Sequence, residues 1–541
     1  LSALIVADSA NAEQTVEVNA AETAASVQAK IDAAKATPDR DVTITVTSKG
    51  TVTGPGTIGI SPIAGQGDGA IVFGNAGGIG AIDKAGAVTD TVGVVLNGSS
   101  AKADNTLTAT NSGLITGGFV ANGFGGTVSL DNSGTIHNGV NLQGNGDLSL
   151  TSSGAVRSGD VFLQSVGSKA TTVSGDTTTD VYTSGDVVGV IGDVASADGK
   201  TKGNAIFIAQ VGNVDVTAKG VAGNITGYTV GSKVTVENTA AAPVADKSVT
   251  TSESNTTFEA STVKITTAAT SKLDTVNGVA NGDVEISVAG TVENGVNAVP
   301  VFNTNATNKT VQTRDGTNSF DLERVDSFSR AAVAGNSTIK IAETGVVGGA
   351  FAQATRDASI VNAGEVKGAL NAVGGAGATT DSGSTTTTRN DTGDLLTVVI
   401  ANSSSSAAGK AAIEIAEGAS VGGGVSATAT SDASVTNAGT VDGTVTARAG
   451  NGGASTFDQA LVYDGKGVLL SNTTKSTSGP AAGNASVVIA ETGSTGGNVL
   501  ATATNDASVD NAGSIDGNLT ATAGNGNANV TEQALVFDDP G

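Results

Sequence analysis

One line of this chain is written almost twice. It runs "DASVTNAGTVDGTVTARAGNG" from Asp432 to Gly452 and "DASVDNAGSIDGNLTATAGNG" from Asp506 to Gly526. Glycines and aliphatics keep their places while the polar letters drift. Within each copy apolar and polar residues alternate with period two, the mark of a strand with one buried face. In the second copy Val509, Asn511, Ile515, Leu519 and Ala521 are expected to point inward, and Ser508, Asp510 and Thr520 toward water. Glycine recurs where the chain turns a corner, which predicts φ > 0 there.

The same line recurs along the chain. "LTATNSGLITGGFVA", "VSLDNSGTIHNGVNLQ" and "LSLTSSGAVRSGDVFLQ" share Gly113, Gly134 and Gly154, which are 21 and 20 residues apart. Ile115, Ile136 and Val156 keep the same interval, and further copies centre on Gly50, Gly220, Gly290, Gly345, Gly364 and Gly493. A unit of about 20 residues cannot bury its own face, so successive units must stack. Strands one rung apart then pair in parallel at ~4.8 Å. The fold class that follows is all-β, a parallel β-helix or β-solenoid.

A longer period lies on top. Gly290, Gly364, Gly439 and Gly513 are 74, 75 and 74 residues apart, each interval holding two clear rungs and a variable stretch. The variable stretches share "TRDGTNSFDL" with "TRNDTGDLL", and "ALVYD" with "ALVFD". They read as degenerate rungs or as loops projecting from one side. If most of the chain forms rungs, the rod has roughly 20–27 layers and a length of about 100–130 Å. The last copy breaks off at "ALVFDDPG", which reads as the end of a fragment.

Composition limits the chemistry. Of 541 residues, 14% are charged and 3% aromatic, 76 are Gly, and Cys, Met and Trp are absent. A core made from Ala, Val, Ile and Leu must therefore be thin, and 38% hydrophobic residues in a regular pattern argue against disorder. With 27 basic against 51 acidic residues, the net charge of -24 excludes a nucleic-acid partner, which needs basic patches. The absence of cysteine removes disulfides and thiolate chemistry, and a single histidine, His137, leaves little for imidazole catalysis. No apolar run approaches the ~18 residues of a membrane span.

Three parts follow: an N-terminal segment 1–39, a solenoid with irregular insertions over 40–280, and a solenoid of ~74-residue super-repeats over 281–541. Residues 1–12, "LSALIVADSANA", read either as the tail of a secretory signal or as an ordinary first strand. Beyond them, "NAAETAASVQAKIDAAKATPDRD" predicts a helix with Ala24, Val27, Ile31 and Ala34 on one face. Asn19 and Glu22 are spaced as a capping box, and Pro38 closes the segment. An open solenoid end exposes unpaired strand edges, and such a helix would cover them.

The helix "ASVQAKIDAA" running into a first strand resembles the N-terminal cap of pectate-lyase-type parallel β-helices. The "NSGTI" and "NAGTVDG" rungs resemble the passenger domains of bacterial autotransporters and related haemagglutinin-like surface proteins. That resemblance implies a surface-exposed, extracellular β-solenoid of a Gram-negative bacterium, associated with the outer membrane.

Two groups of residues are candidates for a site. "RDGTNSFDLERVDSFSR" gathers Arg314, Asp315, Asp321, Glu323, Arg324 and Asp326, as a partner or glycan patch or as a solvated insertion with local ion pairs. The recurring Gly-Asp before an aliphatic marks Asp147, Asp160, Asp186, Asp193, Asp283 and Asp394. Aligned rungs would stack these carboxylates into a ladder suited to Ca²⁺, with its six to eight oxygen ligands, though turn chemistry explains the same pattern. No cofactor is required, with calcium the one candidate. The expected function is non-enzymatic: a structural or adhesive scaffold acting through self-association or adhesion to a cell-surface or glycan ligand. A surface-layer or filament subunit and a polysaccharide-binding or -degrading β-helix are the alternatives.

Overall fold

The structure is a computed structural model that describes residues 14–35, 41–60, 70–98, 106–123, 126–196, 200–244, 247–316, 319–524, 526 and 528–537. Residues 1–12 and Pro38, on which the leader and helix-stop readings fall, lie outside the described residues. The chain winds into a parallel β-solenoid with a short N-terminal helix, as the repeat predicts.

One wall is a sheet of 16 parallel strands, from Gln14–Val18 at one end to Ala507–Asn511 at the other. A second wall of 21 strands starts from Gly56–Ile60, and a third, of seven short strands, runs from Ala21–Thr23 to Asp193–Val194. Above Val194 the short wall merges into the second. Lys272–Ala280 and Thr291–Pro300 each run through both positions, and Val346–Val347 and Ala350–Gln353 both pair onto Thr291–Pro300.

The register explains the repeated line. Ala433–Asn437 pairs residue for residue with Ala485–Ile489, which pairs in turn with Ala507–Asn511. Inward positions follow the expected parity: Val435, Asn437, Val441, Val445 and Ala447 are fully buried. In the last rung the equivalent positions face the open end of the rod, and Leu519 is 49% exposed.

The core is thin, as its composition requires. From residue 350 onward, Ala352, Ala372, Ala427, Ala447 and Ala501 line one wall, while Ile360, Ile413, Val435 and Val487 line the other. Nearer the N-terminus larger side chains are matched by gaps. The Phe73 and Phe119 rings pack 5.9 Å apart, and Phe207 fills the space over Gly189, where a Cβ would collide with the ring.

The corner glycines correct one expectation. Gly113, Gly134 and Gly154 do not have positive φ. They are glycine because backbones stack: a Cβ on Gly134 would collide with the carbonyl oxygen of Gly113, and one on Gly154 with that of Gly134. Left-handed residues occupy the following corner, at Gly118, Asn138, Gly139 and Ser158.

Beside the glycine column runs a buried amide ladder. Asn75 Nδ2 donates to Asn111 Oδ1 at 2.7 Å, Asn111 Nδ2 to Asn132 Oδ1 at 2.7 Å, and Asn132 Nδ2 to Ser152 Oγ at 3.0 Å. Asn alternates with Ile in this column higher up. There Asn362 and Asn437 accept the N–H of their own corner glycines, Gly364 and Gly439, each at 3.1 Å.

The helix Ala24–Lys35 occupies the place of a second-wall strand in the first rung. Ala24, Val27 and Ile31 are buried and Ala34 packs partly against them. Thr23, not Asn19, caps it: Thr23 Oγ1 accepts the Ser26 N–H at 3.2 Å, while Glu22 accepts from the Ser26 hydroxyl. Gln28 imitates a strand. Its Oε1 accepts the Gly59 N–H at 2.8 Å and its Nε2 donates to the Gly59 carbonyl at 3.0 Å, closing the free edge of Gly56–Ile60. Gln28→Ala is expected to cost about 1–2 kcal/mol and to speed amide exchange at Gly59. Unchanged exchange there would show that the helix does not seal the edge.

The variable stretches are neither degenerate rungs nor loops. From Ser168 onward the chain leaves the rod as long β-hairpins, such as Lys233–Val244 with Lys247–Phe258, and Thr379–Arg389 with Leu395–Ser406. Together they form one antiparallel sheet of 11 strands along the side of the rod, a fin. Two rungs intervene between one hairpin and the next. Two rungs advance ~9.6 Å, and one hairpin adds two strands, again ~9.6 Å. The long period is therefore set by geometry: one hairpin per two rungs keeps both structures in step. It also shortens the rod. Among the described residues sixteen rungs span roughly 72 Å, below the expected 100–130 Å, because the hairpins take up much of the chain between them.

Candidate functional site

The Gly-Asp residues fall into separate places. Asp147, Asp186 and Asp283 share a column just before the 16-stranded wall, where each carboxylate accepts the N–H of the next rung. Asp147 Oδ1 takes Asp186 N–H at 2.9 Å, Asp186 Oδ1 takes Asn213 N–H at 2.7 Å, and Asp283 Oδ1 takes Asn336 N–H at 2.8 Å. Higher up, Asp357 holds Lys410 N–H at 2.9 Å and Asp432 holds Asn484 N–H at 3.1 Å. Sequence reasoning missed these two, since neither follows a glycine. Asn213, Asn336, Lys410 and Asn484 alternate with the acids, so few carboxylates stand one rung apart, where like charges repel.

The other three lie elsewhere. Asp160 accepts Asn204 N–H at 2.7 Å beside the second wall, and Asp193, in the last strand of the short wall, accepts Val221 N–H at 3.0 Å. Asp394 sits in a hairpin turn, where it accepts from Thr392 Oγ1 at 2.8 Å. The column thus serves as a series of backbone latches between rungs. Among the described residues, no three His, Asp or Glu side chains are placed to hold a metal ion.

The charged cluster lies at the far end of the hairpin Thr304–Asp315 and Glu323–Ala332. Directly opposed residues of an antiparallel pair point to one side. Glu323, opposite Thr313, and Asp315, opposite Lys247, thus share one face of the fin. Arg324, opposite Gln312, and Arg314, opposite Ser248, share the other. The ion pairs are local. Arg314 Nε bonds Asp321, and Arg324 holds Asp326 through two nitrogens at 2.7 and 3.1 Å. The Arg324 guanidinium, with burial opposing it, holds the Asp326 carboxyl below its ordinary range. The six residues do not converge on one pocket.

His137 is a poor acid–base group in this setting. Burial lowers its pKa, and the stacked Arg157 one rung above lowers it further. Arg157 is itself occupied, donating to the Ala195 and Ser196 carbonyls at 2.8 and 2.9 Å.

The fin is the surface left open. No side chain described in its strands reaches the burial of the solenoid core. Both faces meet water, and cross-strand pairs hold the sheet. Thr388 and Thr397 hydroxyls bond at 2.6 Å, Thr456 and Thr477 at 2.6 Å, and Ser382 and Ser403 at 2.8 Å. Such pairs contribute roughly 0.2–1 kcal/mol each. Phe328 lies against Gly383 on the neighbouring strand, with the Arg330 guanidinium 5.5 Å from its ring centre. On the opposite face, Val399, Ala401, Ala460 and Ala534 floor an open trough of about 670 Å³, edged by Asp458 and Lys475.

No helix among the described residues is long and apolar enough to cross a membrane. Compared with known protein families, curated proteins and solved structures, the chain finds no match.

Proposed function

We propose that this chain is a non-enzymatic structural or adhesive scaffold, displayed outside a bacterial cell, that acts through its long repeated flanks. The observation that carries the reading is the fin: 11 strands in a single layer, in step with the rod and without a buried face. A sheet ordinarily buries one face against another element, so a broad sheet open on both sides offers a surface for contact. Repetition every two rungs makes such contacts multivalent, and weak bonds then add up. The acidic, cysteine-free composition suits a surface outside the cell, and Asp147, Asp160, Asp186, Asp193 and Asp283 serve as backbone latches while Asp321 and Asp326 sit in local ion pairs.

Electron microscopy of the purified chain tests this. Rods that pair or line up side by side are the expected images, and ordered sheets would place the chain among lattice subunits. Turnover of an acidic glycan, lost in Asp321→Ala, would overturn the reading in favour of an enzyme.

A further inference from the structure

Resting on that reading, we propose that the fin binds the fin of a second copy, face to face, about a two-fold axis parallel to the strands. The relevant face is the one bearing Val325 and Val399. The strand Thr379–Arg389 lies at the centre of nine fin strands, from Lys233–Val244 to Asn529–Val536.

Side chains on this face form rows across the sheet, given by the register. The middle row carries Glu253 opposite Lys309 on one side of the centre, and Asp458, Lys475 and Glu532 on successive strands on the other. Lys475 and Glu532 form an ion pair at 2.7 Å within the sheet. Rotation about the central strand lays the second strand of the nine over the eighth and the third over the seventh. Glu253 then faces Lys475 of the second copy, and Lys309 faces Asp458; each contact is made twice.

The neighbouring row is close to a palindrome about Thr386: Val325 falls on Val399, and Ala240 on Ala534. The opposite geometry, with the axis across the strands, would lay Glu253 on Glu253 and Lys309 on Lys309. Like charges brought together in an interface cost several kcal/mol, so the charges select the strand-parallel axis. Nine strands at ~4.8 Å and ten residues at ~3.4 Å give a face on the order of 1,300 Å². That exceeds the roughly 800 Å² per partner of a standard interface. The trough over Ala401, Ala460 and Ala534 leaves room for side chains of the facing sheet.

The test is sedimentation velocity of the whole chain over a concentration series, comparing wild type with the double variant E253K and K309E. This exchange keeps the net charge and the cross-strand pairing within the sheet, yet turns both inter-copy contacts repulsive. The wild type is expected to be a dimer, and the variant to dissociate about 100-fold more readily with an unchanged circular dichroism spectrum. Adding D458K, K475E and E532K inverts the other side and is expected to restore the dimer. A wild-type chain that stays monomeric overturns the proposal. So does one whose assembly ignores the exchange, although self-association by another surface would then still stand.

Discussion

Gly134→Val is expected to cut the rod into two cooperative units and to destabilise the rungs around it by at least ~3 kcal/mol. The reason is local and steric. A side chain at this corner would collide with the carbonyl oxygen of Gly113 below. The backbone cannot move aside, because Gly134 N–H donates to Asn111 O at 3.0 Å and Thr135 N–H to Gly113 O at 2.8 Å. Separating the two rungs releases the ladder between Leu107–Asn111 and Val128–Asn132. In a stacked array each rung is stabilised by its neighbours, so a broken interface uncouples what lies on either side. Urea unfolding followed by circular dichroism should show two transitions in place of one. Hydrogen exchange should locate the lost protection between residues 107 and 152. Ser149→Val, an outward change on the next rung, should stay within about 0.5 kcal/mol. Equal behaviour of the two variants would remove the stacked-backbone explanation.

Asn132→Leu should cost about 2–4 kcal/mol despite its similar size. Asn132 is fully buried and sits in the middle of the amide ladder. Leucine removes the acceptor of Asn111 Nδ2 and the donor to Ser152 Oγ together. Two polar groups would then be buried short of partners, and that desolvation penalty outweighs the apolar gain. The same change at Asn511 should cost no more than about 1 kcal/mol. Asn511 is exposed, and its side chain caps only Gly513 N–H at 3.1 Å. A double variant with Asn111→Leu should lose less than the sum of the two single losses, because both remove one shared bond. Additive losses would show that the ladder does not act as a unit.

Much of the rod is legible in single residues. Val435, Val441 and Val445 alternate with polar neighbours, and their interval from rung to rung fixes both the strands and the side they bury. Gly113, Gly134 and Gly154 mark the corner, although their cause is the backbone one layer away rather than their own φ. The fin was not legible. "TRDGTNSFDL" carries Thr, Asp and Asn on both parities, so no buried face reveals a strand, and a hairpin open on both sides leaves no period-two signal. The Gly-Asp residues were visible as turn chemistry, and Asp394 is just that, while the N–H that each of the other five holds belongs to a rung 27 to 53 residues further on.

By itself, then, the amino-acid order determined a parallel coil with rungs of about 20 residues, a small-aliphatic core and a helix at its start. Those features depend on contacts between like residues at a constant interval, which periodicity records. Only the tertiary structure decided that the stretches between rungs stand out as hairpins and pair into one sheet. It also placed Glu253 and Lys475 in the same row of that sheet. Residues 222 positions apart share that row only because successive strands pair in register through backbone hydrogen bonds, which carry no side-chain signature for a sequence to display.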